Sequence, residues 1–212
     1  MRKIIKNLGF VWKRVRKSLK KRRDQKLFES AKKDIDKFLK QHKKGEISLH
    51  YFDGSHFSLT PTVPYAWQEP GNEIEILSQK GGQNNVLGLL TPDCKFKSLI
   101  YESKVDTETI IEAFNIFFKY KRKDEKYVIV LDNAPTHKSD EFIEAMKKWE
   151  VQGIEFYFLP PYSPELNKIE ILWRFIKYTW LPLEAYVDKN SLQEHLVEVL
   201  RNVGTKYRIT LC

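Results

Sequence analysis

Apolar residues recur at helical spacing between Leu27 and Leu39, where Leu27, Phe28, Ala31, Ile35, Phe38 and Leu39 share one face. With Asp24 as N-cap, this spacing predicts a helix from Asp24 to about Gln41, and Gly45 closes it. The period then changes from helical to alternating. Ile47, Leu49 and Tyr51 alternate with polar positions and run into Phe52 and Asp53, so a first strand is expected to end at Asp53. Pro61, Pro64 and Pro70-Gly71 punctuate a hairpin-like region. Short strands follow at Asn85–Leu90 and Cys94–Ile100, then a helix from Thr107 to Tyr120 with Ile110, Phe114, Phe117 and Phe118 on one side. Tyr127–Leu131 is an unbroken β-favouring run, the mark of a strand buried on both faces and hence of a central parallel strand. A helix over Ser139–Trp149 and a strand over Ile154–Leu159 come next, stopped by Pro160-Pro161. Ser163 reads as the N-cap of a helix with Pro164 in its first position, and Ser191 with Glu194 as the capping box of a last helix. Antiparallel strands first and parallel strands later define an α/β domain.

Composition narrows the class. The chain of 212 residues is 42% hydrophobic, 31% charged and 13% aromatic, which excludes a disordered chain or a membrane bundle. No apolar run approaches the roughly 18 residues of a spanning helix, and no secretory leader is visible. Cys94 and Cys212 form neither a disulfide framework nor a metal-ligand spacing. The formal net charge of +9 is unevenly spread. Residues 1–44 hold 18 of the 37 Lys and Arg residues against 4 acids, so all excess basicity lies at the front. Such a segment suits a polyanion, most simply a nucleic-acid backbone, and Lys13, Arg14, Arg16, Lys17, Lys20, Lys21, Arg22 and Arg23 are its candidate phosphate contacts. A solvated helical face is the plainer alternative. The expected organisation is a basic arm and helix over 1–45 and a second domain over 46–212.

Three acids stand out by position. Asp53 ends the first expected strand, Asp132 ends the buried one, and Glu170 lies about two turns into the helix opened by Ser163. Ligands of open α/β sheets sit beyond the carboxyl ends of strands, where these carboxylates would converge. Converging carboxylates repel unless a cation neutralises them, and oxygen-only ligation suits Mg²⁺ or Mn²⁺. Taken singly, Asp53 before Gly54 and Asp132 in Asp-Asn-Ala-Pro also read as turn formers, and Glu170 as a helix-surface acid.

The stretches YFDGSHFSLTP, VIVLDNAPTHKS and FLPPYSPELNKIEILWRFIK resemble the three motifs of DDE transposases, and more narrowly the bacterial insertion-sequence branch of the mariner-like superfamily. The third is the most specific, with Pro-Pro-Tyr-Ser-Pro-Glu-Leu-Asn-x-Ile-Glu and a Trp three residues on, and the resemblance runs from about Leu8 to the C-terminus. It implies an RNase H-like fold, a mixed central sheet flanked by helices, with Asp53, Asp132 and Glu170 holding two Mg²⁺ ions (Mn²⁺ as substitute). Asp132 and Glu170 stand 38 positions apart, which fits the family's short spacing. Gly54 stands where relatives often carry Glu. Asn133, His137 and Asn167 match accompanying positions. Asn133 is expected to orient Asp132 or to cap a turn, His137 to meet substrate or lie on the surface, and Asn167, with Tyr162 and Trp173, to position the Glu170 helix. The implied activity is phosphodiester hydrolysis at element ends and 3′-OH strand transfer into target DNA. Double-stranded DNA is the implied partner, a homodimer the active form, and the bacterial cytoplasm and nucleoid the location. Relatives carry two helix-turn-helix modules before the catalytic domain, and this chain begins at what resembles the last piece of them. An idle DNA-binding remnant and a nuclease without strand transfer are the competing readings.

Overall fold

The computed structural model describes residues 2–11, 22–60, 62, 69–71, 75 and 83–209. Its elements in order are α1 (Arg2–Asn7), α2 (Gln25–Lys43), β1 (Ser48–Phe57), β2 (Asn84–Leu90), β3 (Phe96–Tyr101), α3 (Thr107–Phe118), β4 (Tyr127–Leu131), α4 (Asp140–Glu150), β5 (Ile154–Phe158), α5 (Ile169–Phe175) and α6 (Lys189–Arg201). The strands form one sheet in the order β3-β2-β1-β4-β5. β1, β2 and β3 pair antiparallel, while β4 lies parallel between β1 and β5. All five residues of β4 are buried, as an interior parallel strand requires.

Side-chain alternation divides the core in two. Leu49 and Tyr51 of β1 with Val128 and Val130 of β4 face a cluster that takes in Ala31, Ile35, Leu172, Trp173 and Leu196, so α2, α5 and α6 cover this side. Phe52, Ile129 and Leu131 face the other cluster, with Ile110, Phe114, Phe142 and Trp149 of α3 and α4. Helices on both faces bury the apolar side chains that the sheet presents on each side. The structure is thus a mixed five-stranded sheet flanked by helices, the RNase H-like arrangement.

Local chemistry explains the element ends. Asp24 caps α2 by accepting from the backbone N–H of Lys26 and Leu27, and Gly45, at φ 74°, carries the chain out of it. Although α2 precedes the sheet, it shares its core through Ala31 and Ile35, and the Tyr157 hydroxyl donates to Asp34 Oδ2 at 2.8 Å. Ser139 caps α4 through the N–H of Phe142.

Three sequence expectations change. Asp53 does not end β1: the parallel pairing with β4 stops at Tyr51↔Val130, but the antiparallel pairing with β2 carries β1 on to Phe57. Ser163 opens only a 3-10 turn, Pro164–Leu166, with no side-chain cap, and α5 starts at Ile169, so Glu170 lies in its first turn rather than two turns in. In place of the Ser191–Glu194 capping box, Asp188 caps α6 by accepting from the Ser191 N–H. Of the hairpin-like region, Pro61 and Pro64 lie outside the described residues, as do Lys13, Arg14, Arg16, Lys17, Lys20 and Lys21 of the basic arm. Among the described residues no helix is long and apolar enough to cross a membrane.

Candidate active site

The alternation that builds the core also aims the acids. Asp53 follows Tyr51 by two and shares its face, toward α5, and Asp132 follows Val130 by two. Where β1 and β4 part, beyond Tyr51 and Val130, the sheet opens a crevice at the carboxyl ends of its parallel strands. β5 leaves the sheet just after Phe158, and Pro160-Pro161 ends the strand pairing. The chain then reverses through Tyr162, at φ 60°, and the 3-10 turn. Asn167, buried, donates from Nδ2 to the Phe52 carbonyl at 2.9 Å. This bond fixes the start of α5 on β1, one residue before Asp53, and gives the physical reason why no continuous helix runs from Ser163.

Asp53, Asp132 and Glu170 thereby line one cavity of about 380 Å³, together with Asn133, Tyr162 and Asn167. Each carboxylate has its own surroundings. Asp53 accepts from Trp173 Nε1 at 3.0 Å through Oδ2. Burial, then the charges of Glu170 and Asp132, push its carboxyl up to about 7, against the opposing hydrogen bonds from Gly54 and Trp173. Burial also raises Glu170, reinforced by Asp132 and opposed by Lys177. Asp132 moves the other way, held low mainly by its hydrogen bond with His137, whose Nδ1 lies 3.0 Å from Oδ1. The Ala134 N–H donates to the same oxygen at 3.1 Å.

The accessory residues divide differently from expectation. His137 is buried against the Phe52 and Phe142 rings, neither on the surface nor in the cavity wall, and it orients Asp132. Asn133 does not orient that carboxylate: its Nδ2 donates to the Leu159 carbonyl and ties the loop after β4 to the end of β5. Arg23 stacks its guanidinium 3.8 Å from the centre of the Phe28 ring and pairs with Glu165 at 3.4 Å, while Arg22 is exposed.

Two contributors, Gly88 and Lys177, escaped the sequence reading, and Trp173, expected to position the Glu170 helix, goes further. Trp173 touches Asp53 itself. Gly88 lies opposite Asp53 in the β1–β2 register. Lys177 lines an adjoining cavity of about 770 Å³ with Asp53, Glu170, His56, Arg174 and Tyr178. Burial lowers the Lys177 ammonium, and Glu170 and Asp53 partly restore it. Lys177 stands seven residues after Glu170, a helical repeat that would have marked it.

The donor set fits a hard divalent cation. It is all oxygen, and burial together with the neighbouring Glu170 and Asp132 charges raises the Asp53 carboxyl, a cost that a bound cation would offset. Among the described residues the three carboxylates line the cavity without closing into a ready-made cluster of metal ligands.

Fold and site define a nuclease-like α/β domain built around carboxylates. A model of the DDE superfamily endonucleases matches residues 48–193, and the chain belongs to that family. The uncharacterized protein y4pE/y4sA of Sinorhizobium fredii is 34% identical over 109 residues, covering 51% of this chain and 67% of that protein. The Mos1 mariner paired-end complex with Mn superposes with a TM-score of 0.62 at 15% identity, covering 94% of this chain and 62% of the Mos1 chain. The Mos1 transposase catalytic domain with Raltegravir and Mn gives 0.52 at 12% identity over 84% of this chain and 83% of that one. The likeness to Mos1 is one of fold, and the chain spans less than two thirds of the Mos1 protein in the paired-end complex.

Proposed function

We propose that this chain is the catalytic portion of a DNA transposase that cuts a phosphodiester at element ends and joins the freed 3′-OH to target DNA. The observation that carries the reading is the convergence of Asp53, Asp132 and Glu170 on one cavity from a strand, a strand end and a helix. All three would hold divalent ions, Mg²⁺ or Mn²⁺ and two by the resemblance. When bound, such ions activate water and neutralise the attacking and leaving oxygens of an in-line phosphoryl displacement.

The chain's own residues prepare that reaction. Asp53 and Glu170 present carboxylates from β1 and α5, and the Asn167–Phe52 bond sets the distance between the two elements. His137 and the Ala134 N–H occupy Asp132 Oδ1, leaving Oδ2 for a cation. Lys177 and Arg174 put positive charge on the wall beside Asp53 and Glu170, where a phosphodiester is drawn in and held in register. Mos1 transposase is described in a paired-end complex with a left transposon end, and double-stranded DNA is by that likeness the proposed partner here. A homodimer is the proposed active assembly, within the bacterial cytoplasm at the nucleoid.

A strand-transfer assay tests the reading. Pre-cleaved ends with a free 3′-OH are incubated with plasmid, the chain and Mn²⁺, beside EDTA and Asp132→Asn controls. Metal-dependent joining that the variant loses is expected. Joining that survives Asp132→Asn overturns the site, and hydrolysis without joined product makes the chain a nuclease.

A further inference from the structure

Trp173 lies between two acids that belong to different elements. It sits three residues after Glu170 on α5 and donates to Asp53 on β1. Asn167 sits three residues before Glu170 and donates to the Phe52 carbonyl, next to Asp53 in the chain. The Glu170 turn is therefore fastened to β1 on both sides, once to the backbone and once to the carboxylate itself. The second fastening depends on Gly88. A Cβ built there would stand 2.8 Å from Trp173 Cη2, 2.9 Å from its Cζ2 and 2.8 Å from Phe96 Cε2, all rigid aromatic atoms. Trp173 is 3% exposed and packs edge-to-face with Phe57 and Phe96, so a shift away from residue 88 would have to go toward the adjoining cavity and would carry its N–H with it. The missing side chain at 88 leaves room for the ring in the position from which its N–H reaches Asp53.

We infer that Trp173 is a positioning residue for the metal-binding carboxylates, seated on Gly88, and that this pair sets the spacing between Asp53 and Glu170 and hence the affinity for a divalent ion. The inference rests on the proposed role of those two acids. Partners of this kind, which hold a ligand rather than the metal, are worth about 10–100-fold in metal affinity.

The test is a Mn²⁺ titration followed by electron paramagnetic resonance of the free ion, on the parent chain, Trp173→Phe and Gly88→Ala. Trp173→Phe keeps an aromatic ring and removes the donor. Gly88→Ala keeps the donor and displaces it. Trp149→Phe is the matched control, because that indole donates to Asn115 Oδ1 on the opposite face of the sheet. Both Trp173→Phe and Gly88→Ala should weaken Mn²⁺ binding by about 10-fold or more. Strand transfer should recover at saturating Mn²⁺, a split that loss of folding does not produce, while Trp149→Phe should bind as the parent does. Parent-like Mn²⁺ affinity in either folded variant overturns the inference. Asp53→Asn, run alongside, separates the two claims: if it abolishes binding while Trp173→Phe does not, only the positioning role falls, and if it too binds as the parent does, the metal site falls with it.

Discussion

Replacing Asp53 by Asn should stabilise the metal-free chain in alkaline solution while destroying its metal affinity. Asp53 ionises near 3.8 when free and only near 7 in the fold, chiefly because burial disfavours its charge. Between those values the unfolded chain has released the proton and the folded chain keeps it, so stability falls as pH rises and the loss is complete once pH passes about 7. From pH 5 to pH 8 a full conversion gives about 3 kcal/mol, at about 1.4 kcal/mol per pH unit. The carboxylate is only half-buried by its exposed surface, and solvent screening brings this to roughly 1.5 kcal/mol. Asn at 53 still accepts from Trp173 but has no proton to lose. Urea unfolding in EDTA at pH 5 and pH 8 should show the parent losing about 1.5 kcal/mol more than Asp53→Asn across that interval. Equal pH dependence in the two chains would refute the assignment of a strained, repelled carboxylate at 53. Saturating Mn²⁺ should restore the parent at pH 8, by about 2.7 kcal/mol at 100 times the dissociation constant, and leave Asp53→Asn unchanged.

Three further outcomes follow from the same geometry. His137→Phe keeps the ring packed near Phe52 and Phe142 but removes the partner that holds Asp132 Oδ1, so Mn²⁺ affinity at pH 8, where Asp53 is already ionised, should fall about 10-fold; calorimetric titration that finds it unchanged would contradict the orienting role. Lys177→Ala should lower the slope of log affinity against log salt for duplex DNA by about 1 between about 50 and 200 mM salt, read by fluorescence anisotropy, and an unchanged slope would remove Lys177 from the phosphate path. Asn167→Ala strands the Phe52 carbonyl and should cost about 1–3 kcal/mol in urea unfolding, with loss of metal affinity beyond what an unrelated variant of equal stability shows.

Much of this architecture is legible in local periodicity. The apolar stripes of α2 and α3 and the unbroken Tyr127–Leu131 run reappear within a few residues of where the sequence puts them, because each element buries one face or two against the rest. The misplacements have a common cause in tertiary contacts. Asp53-Gly54 reads as a strand end because one strand partner does end there, but β2 takes over the pairing and carries the strand on. Ser163-Pro164 has the chemistry of a helix start, yet the Asn167 side chain is committed to Phe52, 115 positions away, and only a 3-10 turn forms. The three acids were visible through their motifs, and Asp132 also through its place at the end of the buried strand. Their supports were legible only in part: Asn167 and Trp173 read as holding the Glu170 helix, but nothing local shows that Trp173 meets Asp53 across 120 positions, and Gly88 matters only for a ring delivered by a helix that comes much later in the chain. His137 looked like a surface or substrate-facing histidine because nothing local announces the Phe52 and Phe142 rings that enclose it.

The central claim is that Asp53, Asp132 and Glu170 act as one divalent-ion centre. Anomalous diffraction from crystals grown with Mn²⁺ tests it most directly. The account predicts manganese peaks in the cavity bounded by these three carboxylates, within bonding distance of oxygens from all three, and their loss in Asp132→Asn crystals. Manganese bound elsewhere, or bound there without Glu170 or Asp53 among its ligands, would contradict it.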